Sequence, residues 1–440
     1  MTSRPRTAAL TLLCAAQFVV VLDATIVAVA LPEMRRSLGM EPAALQWILT
    51  AYALTFGGLL VAAGRAADLF GRRRLLTAGL IVFGGASLAC ALAPSGTALV
   101  AARAAQGIGA AIQAPAAFAL LAATFSDPEA RRRAVGWWTA AAAGGGASGW
   151  LLGGVLVQTF GWPAVFFVNV PLCAAGVMLV PRLLAESRAD GERQRLDLAG
   201  AVTVTAGLAL LVHGLTRVDA PQAAASLAGA VLALAAFSRI ERRAEAPILP
   251  AWTLRRPGFA VANGVAVALC ATTTGAMFLA ILYQQEVLHR SALEVGLWCA
   301  PFNLAVIAGS LVRWRWSPRV VMAGGLATVA GGAVVLATLS PAALPAAFVM
   351  MGAGLGCASV ASTASGTAAL PDGAQGIASG VLTAGAQIGS AIGVALLVAL
   401  AGPVGYRGAL AAAAAATIAI AAYMHARREA AYTVGGPLRT

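Results

Sequence analysis

The stretch VVLDATIVAVALP, residues 20–32, places a single carboxylate, Asp23, inside an otherwise apolar run. The run extends back to Ala8 without another charged residue, and the next charge after Asp23 is Glu33. About 20 helical residues cross the roughly 30 Å hydrocarbon core of a bilayer, so residues 8–32 predict a transmembrane helix. Because an acid is costly to insert there, we expect Asp23 to face a bundle interior or a water-filled cavity.

The composition of the whole chain supports a membrane protein. Of its 440 residues, 60% are hydrophobic and 11% are charged, and the mean hydropathy is +0.83. A soluble protein of this length needs more charge to cover its surface. The net charge is +13 and every basic residue is Arg. These arginines stand in short runs between apolar spans, which indicates membrane topology, so we expect no nucleic-acid partner.

Fourteen apolar spans of transmembrane length recur along the chain, and they predict an all-α polytopic membrane protein. They lie near residues 8–32, 45–66, 75–93, 97–123, 134–159, 163–184, 197–215, 222–240, 258–283, 294–312, 319–339, 342–363, 374–401 and 406–425.

The distribution of arginine predicts how these spans are oriented. With a cytoplasmic N-terminus, 24 arginines fall in or beside inside segments, and five fall outside: Arg35, Arg36, Arg217, Arg290 and Arg407. Cationic loops resist translocation, so this skew favours a multi-pass protein of the bacterial inner membrane with both termini in the cytoplasm. We expect no cleavable signal, because the first span is long and no small-residue cleavage motif follows it.

Polar breaks divide the predicted spans into groups. The segment AESRADGERQRL (185–196) follows six spans, and residues 241–257 follow eight. We therefore expect an N-terminal six-helix bundle and a C-terminal six-helix bundle, with two additional helices and a short tail. Their predicted boundaries are 1–185 for the first bundle, 186–257 for the additional helices and their loops, 258–426 for the second bundle, and 427–440 for the cytoplasmic tail. Six plus six helices are typical of transporters built from repeated halves.

The reactive side chains favour transport over catalysis. The six cysteines lie singly within apolar spans without metal-ligand spacing, so we expect no disulfide and no metal. A P-loop requires Lys, which the chain lacks. We expect no cofactor, a proton gradient as the energy source, and no enzymatic activity. A membrane-embedded enzyme or receptor is a remote alternative, because the three histidines and the cysteines are scattered.

Two charges within spans are candidates for proton coupling. Asp23 can carry a proton or bind a cation, and the alternative is a structural hydrogen bond to a neighbouring helix. Arg103 stands in RAAQGIGAA (103–111), where Gln106, Gly107 and Ala110 share its helical face. Arg does not release its proton, so Arg103 suits tuning of a partner acid, and the alternative is a structural salt bridge.

The short loop between the second and third spans, GRAADLFGRRRLL (64–76), is a candidate conformational latch. Gly71 permits a tight turn, and Asp68 can pair with an arginine or cap a helix in one conformation only. The simpler alternative is a positively charged cytoplasmic loop. The residues of the candidate latch are Gly64, Asp68, Gly71, Arg72 and Arg73.

Glycines and isolated polar groups complete the candidates. In GWWTAAAAGGGASGWLLGG (136–154), glycines repeat every four residues and predict close helix packing. The packing and gating candidates are Gly107, Gly136, Gly145, Gly149, Gly153 and Gly154. The residues that could line a substrate cavity are Gln106, Gln113, Trp150, Asn263 and Gln284.

These motifs together resemble the major facilitator superfamily, specifically its fourteen-helix drug:proton antiporter branch. LDATIVAVALP (22–32) is similar to the first-helix signature of that branch, and residues 64–74, 103–111 and 136–154 are similar to its loop, fourth-helix and antiporter motifs. WPAVFFVNVP (162–171) and YQQEVLHRSALEVGL (283–297) are similar to two further stretches of the branch. Trp150 stands where the antiporter motif has proline, Ala28 where the first-helix signature has asparagine, and Leu69 where the loop motif has a basic residue.

The resemblance implies the major facilitator fold and a specific activity. It implies a monomer in the lipid bilayer that exports a hydrophobic or cationic small molecule, such as a drug, antibiotic or secondary metabolite, in exchange for protons. Asp23 would carry the proton, Arg103 would shift its affinity, and residues 64–74 would stabilise one conformation. The alternative within this family is a transporter dedicated to one metabolite or working as a symporter.

Overall fold

A computed structural model describes residues 3–125, 127–188, 197–216, 221–244, 247–249, 251–312, 315–371 and 375–434. Within these ranges every regular element is a helix. The α-helices are α1 (Ser3–Leu38), α2 (Pro42–Leu45), α3 (Trp47–Phe70), α4 (Arg72–Ala91), α5 (Gly96–Thr124), α6 (Pro128–Phe160), α7 (Ala164–Phe167), α8 (Asn169–Leu183), α9 (Leu198–Thr216), α10 (Gln222–Arg243), α11 (Ala251–Leu254), α12 (Pro257–Leu282), α13 (Ala292–Leu311), α14 (Pro318–Ala337), α15 (Leu344–Ala368) and α16 (Gln375–Val434).

The described residues contain thirteen helices that are long and apolar enough to cross a membrane. The last of these stretches, Ala378–Met424, is 47 residues long, about twice what one crossing needs. Its backbone leaves the helical region at Gly405, where φ is 69° and ψ is 175°. The two predicted spans 374–401 and 406–425 meet at this break. The all-helical membrane fold predicted from the sequence is thus confirmed.

The contacts divide the chain into two compact units. Unit 1 comprises Met1–Trp252 and Ile281–Ala300, and unit 2 comprises Thr253–Ala280 and Pro301–Thr440. The domain boundaries expected from the sequence follow the order of the helices along the chain, and they stay a prediction.

Unit 1 is held together by helices that approach each other closely at glycine. α1 packs against α6, and α5 packs against both α3 and α4. A Cβ added at Gly109 in α5 would lie 2.5 Å from the backbone nitrogen of Phe83 in α4. Without strong hydrophobic attraction between helices in lipid, such close backbone packing is a main source of their association.

The additional helices α9 and α10 pack on each other, and α9 also packs on α3. The imidazole Nδ1 of His213 in α9 lies 3.0 Å from the hydroxyl oxygen of Ser226 in α10. A side-chain oxygen of Asp197 accepts a hydrogen bond of 2.7 Å from the Gly200 amide and so caps the start of α9. The predicted pair of additional spans therefore forms two adjacent helices that pack against the first bundle.

Unit 2 uses the same small-residue packing between its own helices. A Cβ added at Gly275 in α12 would lie 2.8 Å from the carbonyl oxygen of Gly393 in α16. Two hydroxyl pairs join the same helices: Thr272 with Thr417 at 2.6 Å, and Thr274 with Ser390 at 3.0 Å. α14 packs against α15 and α16.

Candidate functional site

Asp23 and Arg103 form a buried ion pair in unit 1. The guanidinium Nη1 of Arg103 donates to Oδ2 of Asp23 at 2.5 Å, and both side chains are 0% exposed. Arg103 also donates through Nε to the carbonyl oxygen of Ile48 at 2.8 Å and through Nη1 to Oε1 of Gln106 at 2.6 Å. Removing one partner of such a pair leaves an uncompensated charge, at a cost of about 3–5 kcal/mol.

Two amide side chains hold the second oxygen of the Asp23 carboxylate. Gln106 donates through Nε2 to Oδ1 at 2.7 Å, and Asn169 donates through Nδ2 to the same oxygen at 2.8 Å. Gln106 Nε2 also donates to the hydroxyl of Ser87 at 2.9 Å. The acid in α1 is therefore bonded directly to α5 and α8, and it is linked to α4 through Gln106. We call the five residues Asp23, Ser87, Arg103, Gln106 and Asn169 the polar network.

Aromatic rings surround the charged part of the polar network. The guanidinium carbon of Arg103 lies 4.4 Å from the centroid of the Tyr52 ring and 5.8 Å from that of Phe166. Cation–π attraction of this kind is strongest where water is excluded. Arg103 Nη2 and Asn169 Oδ1 are buried without a hydrogen-bond partner among the described residues. The network thus contains one donor nitrogen and one acceptor oxygen that are unpaired among the described residues.

Sequence reasoning did not single out Asn169 or Ser87. Asn169 is the first residue of α8, just after the short helix α7, and it stands in the quoted stretch WPAVFFVNVP (162–171). An amide within an apolar run was the available signal, because polar groups inside spans need a partner. Ser87 gives no such signal, since a serine can satisfy itself within its own helix, and its hydroxyl also donates to the carbonyl oxygen of Phe83.

The residues proposed for a substrate cavity have different surroundings. Gln106 belongs to the polar network. Gln113 is buried, and its amide nitrogen and oxygen both lack a hydrogen-bond partner among the described residues. Gln284 is buried and accepts a hydrogen bond of 2.9 Å from Arg290. Asn263 belongs to unit 2, where its side chain lies beside Gly385. A common substrate-lining role for these residues stays a prediction.

The candidate latch makes its contacts within unit 1. Asp68 accepts hydrogen bonds from Nε and Nη2 of Arg72 at 2.9 and 2.8 Å. Gly71, with φ of 110°, joins α3 to α4 in a backbone conformation that favours glycine. The Arg73 amide donates to the carboxylate of Glu186 at 3.0 Å. A Cβ added at Gly64 would lie 3.5 Å from the ring of Pro115 in α5.

The glycines of α6 differ in what surrounds them. A Cβ added at Gly145 would lie 2.6 Å from the carbonyl oxygen of Phe18 in α1. Gly149 and Gly153 approach α1 at Thr25 and Ile26 in the same way. In α5, Gly107 lies against Tyr52 and Thr55 of α3. A Cβ at Gly136 would meet no described atom within 4 Å.

The segment Ile281–Ala300, here called the hairpin, contacts the ends of α1 and α6. Glu286 forms an ion pair with Arg35, and Gln285 donates to the carbonyl oxygen of Val29 at 3.0 Å. A Cβ added at Gly154 would lie 2.7 Å from Cα of Leu293. Trp150 is buried, and its carbonyl oxygen lies against Gly296. Charge and close packing together hold the hairpin on α1 and α6.

Comparisons with known proteins agree with this architecture. Residues 13–314 match the family model described as the Major Facilitator Superfamily. The cephamycin export protein CmcT of Amycolatopsis lactamdurans is 40% identical over 336 residues, covering 75% of this chain and 69% of that protein. The puromycin resistance protein pur8 of Streptomyces alboniger is 36% identical, covering 85% of this chain and 77% of that protein.

The fold also matches solved structures of distant sequence. The POT family transporter PepTSo aligns over 96% of this chain and 98% of its own, with a TM-score of 0.71 and 12% identity. At this identity the match shows a similar fold and nothing more. The family model and the relatives confirm the resemblance seen in the motifs: this chain belongs to the major facilitator superfamily.

Proposed function

We propose that this chain is a proton-coupled secondary transporter that exports hydrophobic or cationic small molecules from the bacterial cytoplasm. The relatives named above carry antibiotic export and resistance in their names, which supports a drug, antibiotic or secondary metabolite as the substrate. The observation that carries the coupling is the polar network, in which one buried acid accepts hydrogen bonds from two other helices, α5 and α8.

Proton binding to Asp23 would change the contacts between these helices. The ionised carboxylate accepts from Arg103, Gln106 and Asn169. Protonation removes its charge, and with it the Coulomb attraction to Arg103. The guanidinium would keep the Ile48 carbonyl and Gln106. We infer that α1 is held against α5 and α8 when Asp23 is ionised and is freer to move when Asp23 is protonated.

This difference is sufficient to couple two fluxes. A ligand shifts a conformational equilibrium only by its differential affinity for the two states. A proton that binds Asp23 better in one state, and a substrate that binds better in the other, would exchange through alternating access. We propose the proton gradient as the energy source and no cofactor.

The arrangement in the membrane is part of the proposal. The skew of arginine supports cytoplasmic placement of both chain termini in the inner membrane. We also propose that the monomer is the working unit. In this family the two six-helix bundles of one chain together form a complete transport path.

The test is transport by full-length protein in liposomes that carry a pH gradient, with puromycin and ethidium as probe substrates. We expect substrate addition to dissipate the gradient with wild type. Asp23→Asn keeps the volume of the side chain but cannot carry the proton, and we expect it to abolish this dissipation. The matched control is Glu129→Gln, since Glu129 is 68% exposed on α6.

Two results would contradict the proposal. If Asp23→Asn dissipated the gradient as much as wild type does, Asp23 would not be required for proton coupling. Substrate movement in the same direction as the protons would indicate a symporter.

A further inference from the structure

A cleft of about 810 Å³ lies in unit 1 between α1, α4 and α8, apart from the polar network. Its walls are apolar except for Thr7 and Thr11 near one end and the thiol of Cys173. The main lining residues from α1 are Leu12, Ala15, Ala16 and Val19, those from α4 are Leu76 and Leu80, and those from α8 are Leu172, Gly176, Leu179 and Leu183.

The cleft runs along one half of the bilayer. Three lining residues lie at helix ends. Thr7 is near the start of α1, Leu76 is near the start of α4, and Leu183 is the last residue of α8. These three helix ends mark the same membrane face, because consecutive spans alternate in direction. The helical rise from Thr7 to Val19 is about 18 Å. One leaflet of hydrocarbon is about 15 Å thick, so the cleft spans a single leaflet.

The cleft is open to the surface of the protein along this length. Leu172 and Leu179 on α8 are 43% and 40% exposed, and Thr11 and Ala15 on α1 are also exposed. An exposed apolar groove at this depth faces acyl chains. A flexible hydrocarbon chain can fill such a groove and restore the dispersion contacts that a void would lose.

Arginines stand within two residues of the lining residues that mark the membrane-face end of the cleft. Arg6 precedes Thr7, Arg74 lies two residues before Leu76, and Arg182 precedes Leu183. Arg6 and Arg182 are exposed, and neither forms an ion pair with a described residue. Arg74 is 67% exposed and lies 3.8 Å from its carboxylate neighbour, Glu186. Each of the three helices thus brings one cation to the same end of the cleft.

We propose that this cleft is a binding site for an anionic phospholipid, with an acyl chain in the groove and the phosphate at Arg6 and Arg182. Guanidinium groups bind phosphate through paired N–H donors. Basic groups between transmembrane helices at the cytoplasmic side are suited to anionic headgroups. The unpaired cations favour a headgroup with net negative charge over a zwitterionic one.

The occupant would touch the helices that carry the polar network. Val19 lies one helical turn before Asp23 in α1, and Asn169 begins α8, whose later residues line the cleft. A bound lipid would therefore fill the space between two helices that Asp23 and Asn169 join. The inference concerns binding and does not depend on the direction of transport.

The experiment measures lipid binding to delipidated, full-length protein in detergent by native mass spectrometry and thermal shift. Phosphatidylglycerol and phosphatidylcholine with identical acyl chains are compared. For two arginines, at about 1 kcal/mol each, we expect phosphatidylglycerol to bind roughly thirtyfold tighter. Added salt should reduce this preference, because it screens exposed charges.

Three variants distinguish the contribution of the lipid headgroup from that of the acyl chain. The double variant Arg6→Gln, Arg182→Gln should lose the preference for phosphatidylglycerol and still fold, since both side chains are exposed. Ala15→Trp should fill the groove and weaken binding of both lipids. Arg133→Gln is the matched control, because Arg133 is 71% exposed on α6, outside the cleft, and it should bind as wild type does.

Specific results would overturn the assignment. Equal binding of the two lipids by wild type would show that the site does not select an anionic headgroup. Unchanged binding by Ala15→Trp, in a variant that circular dichroism shows to be folded, would place the lipid elsewhere. If Arg133→Gln lost as much of the preference for phosphatidylglycerol as the double variant does, the preference would come from the overall charge of the protein and not from this cleft.

Discussion

At the scale of single residues, the position of Asp23 depends on amide donors from other helices. Its Oδ1 accepts from both Gln106 and Asn169, and its Oδ2 faces Arg103. Three donors from two other helices fix the carboxylate, while the ion pair supplies the charge balance. An ionised acid in an apolar bundle is tolerable only when paired and hydrogen-bonded in this way.

Asn169→Ala should weaken the hold on Asp23 without removing the ion pair. Loss of one buried hydrogen bond to a charged group costs about 1.5–3 kcal/mol. We expect a lower melting temperature in detergent and a shifted pH profile of transport, because the ionised form of Asp23 loses a donor that stabilises it. The exposed amide of Gln158 on α6 offers the control Gln158→Ala. A melting temperature and pH profile equal to those of wild type would show that Asn169 does not position the acid.

At the scale of elements, the packing of α1 on α6 depends on which glycine faces the neighbour. Gly144 and Gly145 are adjacent in the chain and have the same helix propensity. A Cβ at Gly145 would meet the Phe18 carbonyl oxygen at 2.6 Å, whereas one at Gly144 would meet no described atom within 4 Å. The pair therefore separates helix packing from the conformational freedom of glycine.

Gly145→Ala should destabilise the protein, and Gly144→Ala should not. Alanine in place of glycine within a helix gains about 0.8–1 kcal/mol from propensity. Overpacking at Gly145 costs about 1–3 kcal/mol, so the net change there is unfavourable. Thermal unfolding followed by size-exclusion chromatography gives both values. If Gly145→Ala were as stable as Gly144→Ala, the close approach of α1 and α6 at this point would be incorrect.

At the scale of the whole molecule, the hairpin Ile281–Ala300 groups with the first bundle although the remaining residues of α12 and α13 belong to unit 2. Arg35 and Glu286 form the charged contact of this arrangement, and their side chains are 33% and 27% exposed. We expect this contact to exist in one state of the transport cycle and to break in the other, because alternating access requires each closed face to open.

Exchanging the charges tests this expectation. Glu286→Arg places two arginines together and should reduce transport, while the double variant Arg35→Glu, Glu286→Arg should restore it. Partly exposed pairs couple by about 0.2–1 kcal/mol, so a change in rate of about 1.4-fold to fivefold is expected. Arg36→Gln serves as the control, since Arg36 is exposed and, among the described residues, bonds only the Pro32 carbonyl oxygen of its own helix. No rescue by the double variant would show that the pair does not act as a unit.

Much of the fold was predictable because lipid imposes a simple rule. Every backbone polar group in the membrane must be satisfied within its own helix, so long apolar stretches identify the spans. The break at Gly405 fits the boundary expected between the last two spans. Asp23 and Arg103 could be identified as candidates from the sequence, since a charge within a span requires a partner; their roles in coupling stay a prediction.

The sequence by itself determined the class of protein, the positions of its spans and the two buried charges. Only the tertiary structure decided that Asp23 meets Arg103, eighty residues later in the chain, and that Asn169 completes its shell. The physical reason is that a membrane helix is apolar on all sides, so its periodicity does not show which face meets which neighbour. Those pairings follow from close packing among many helices at once.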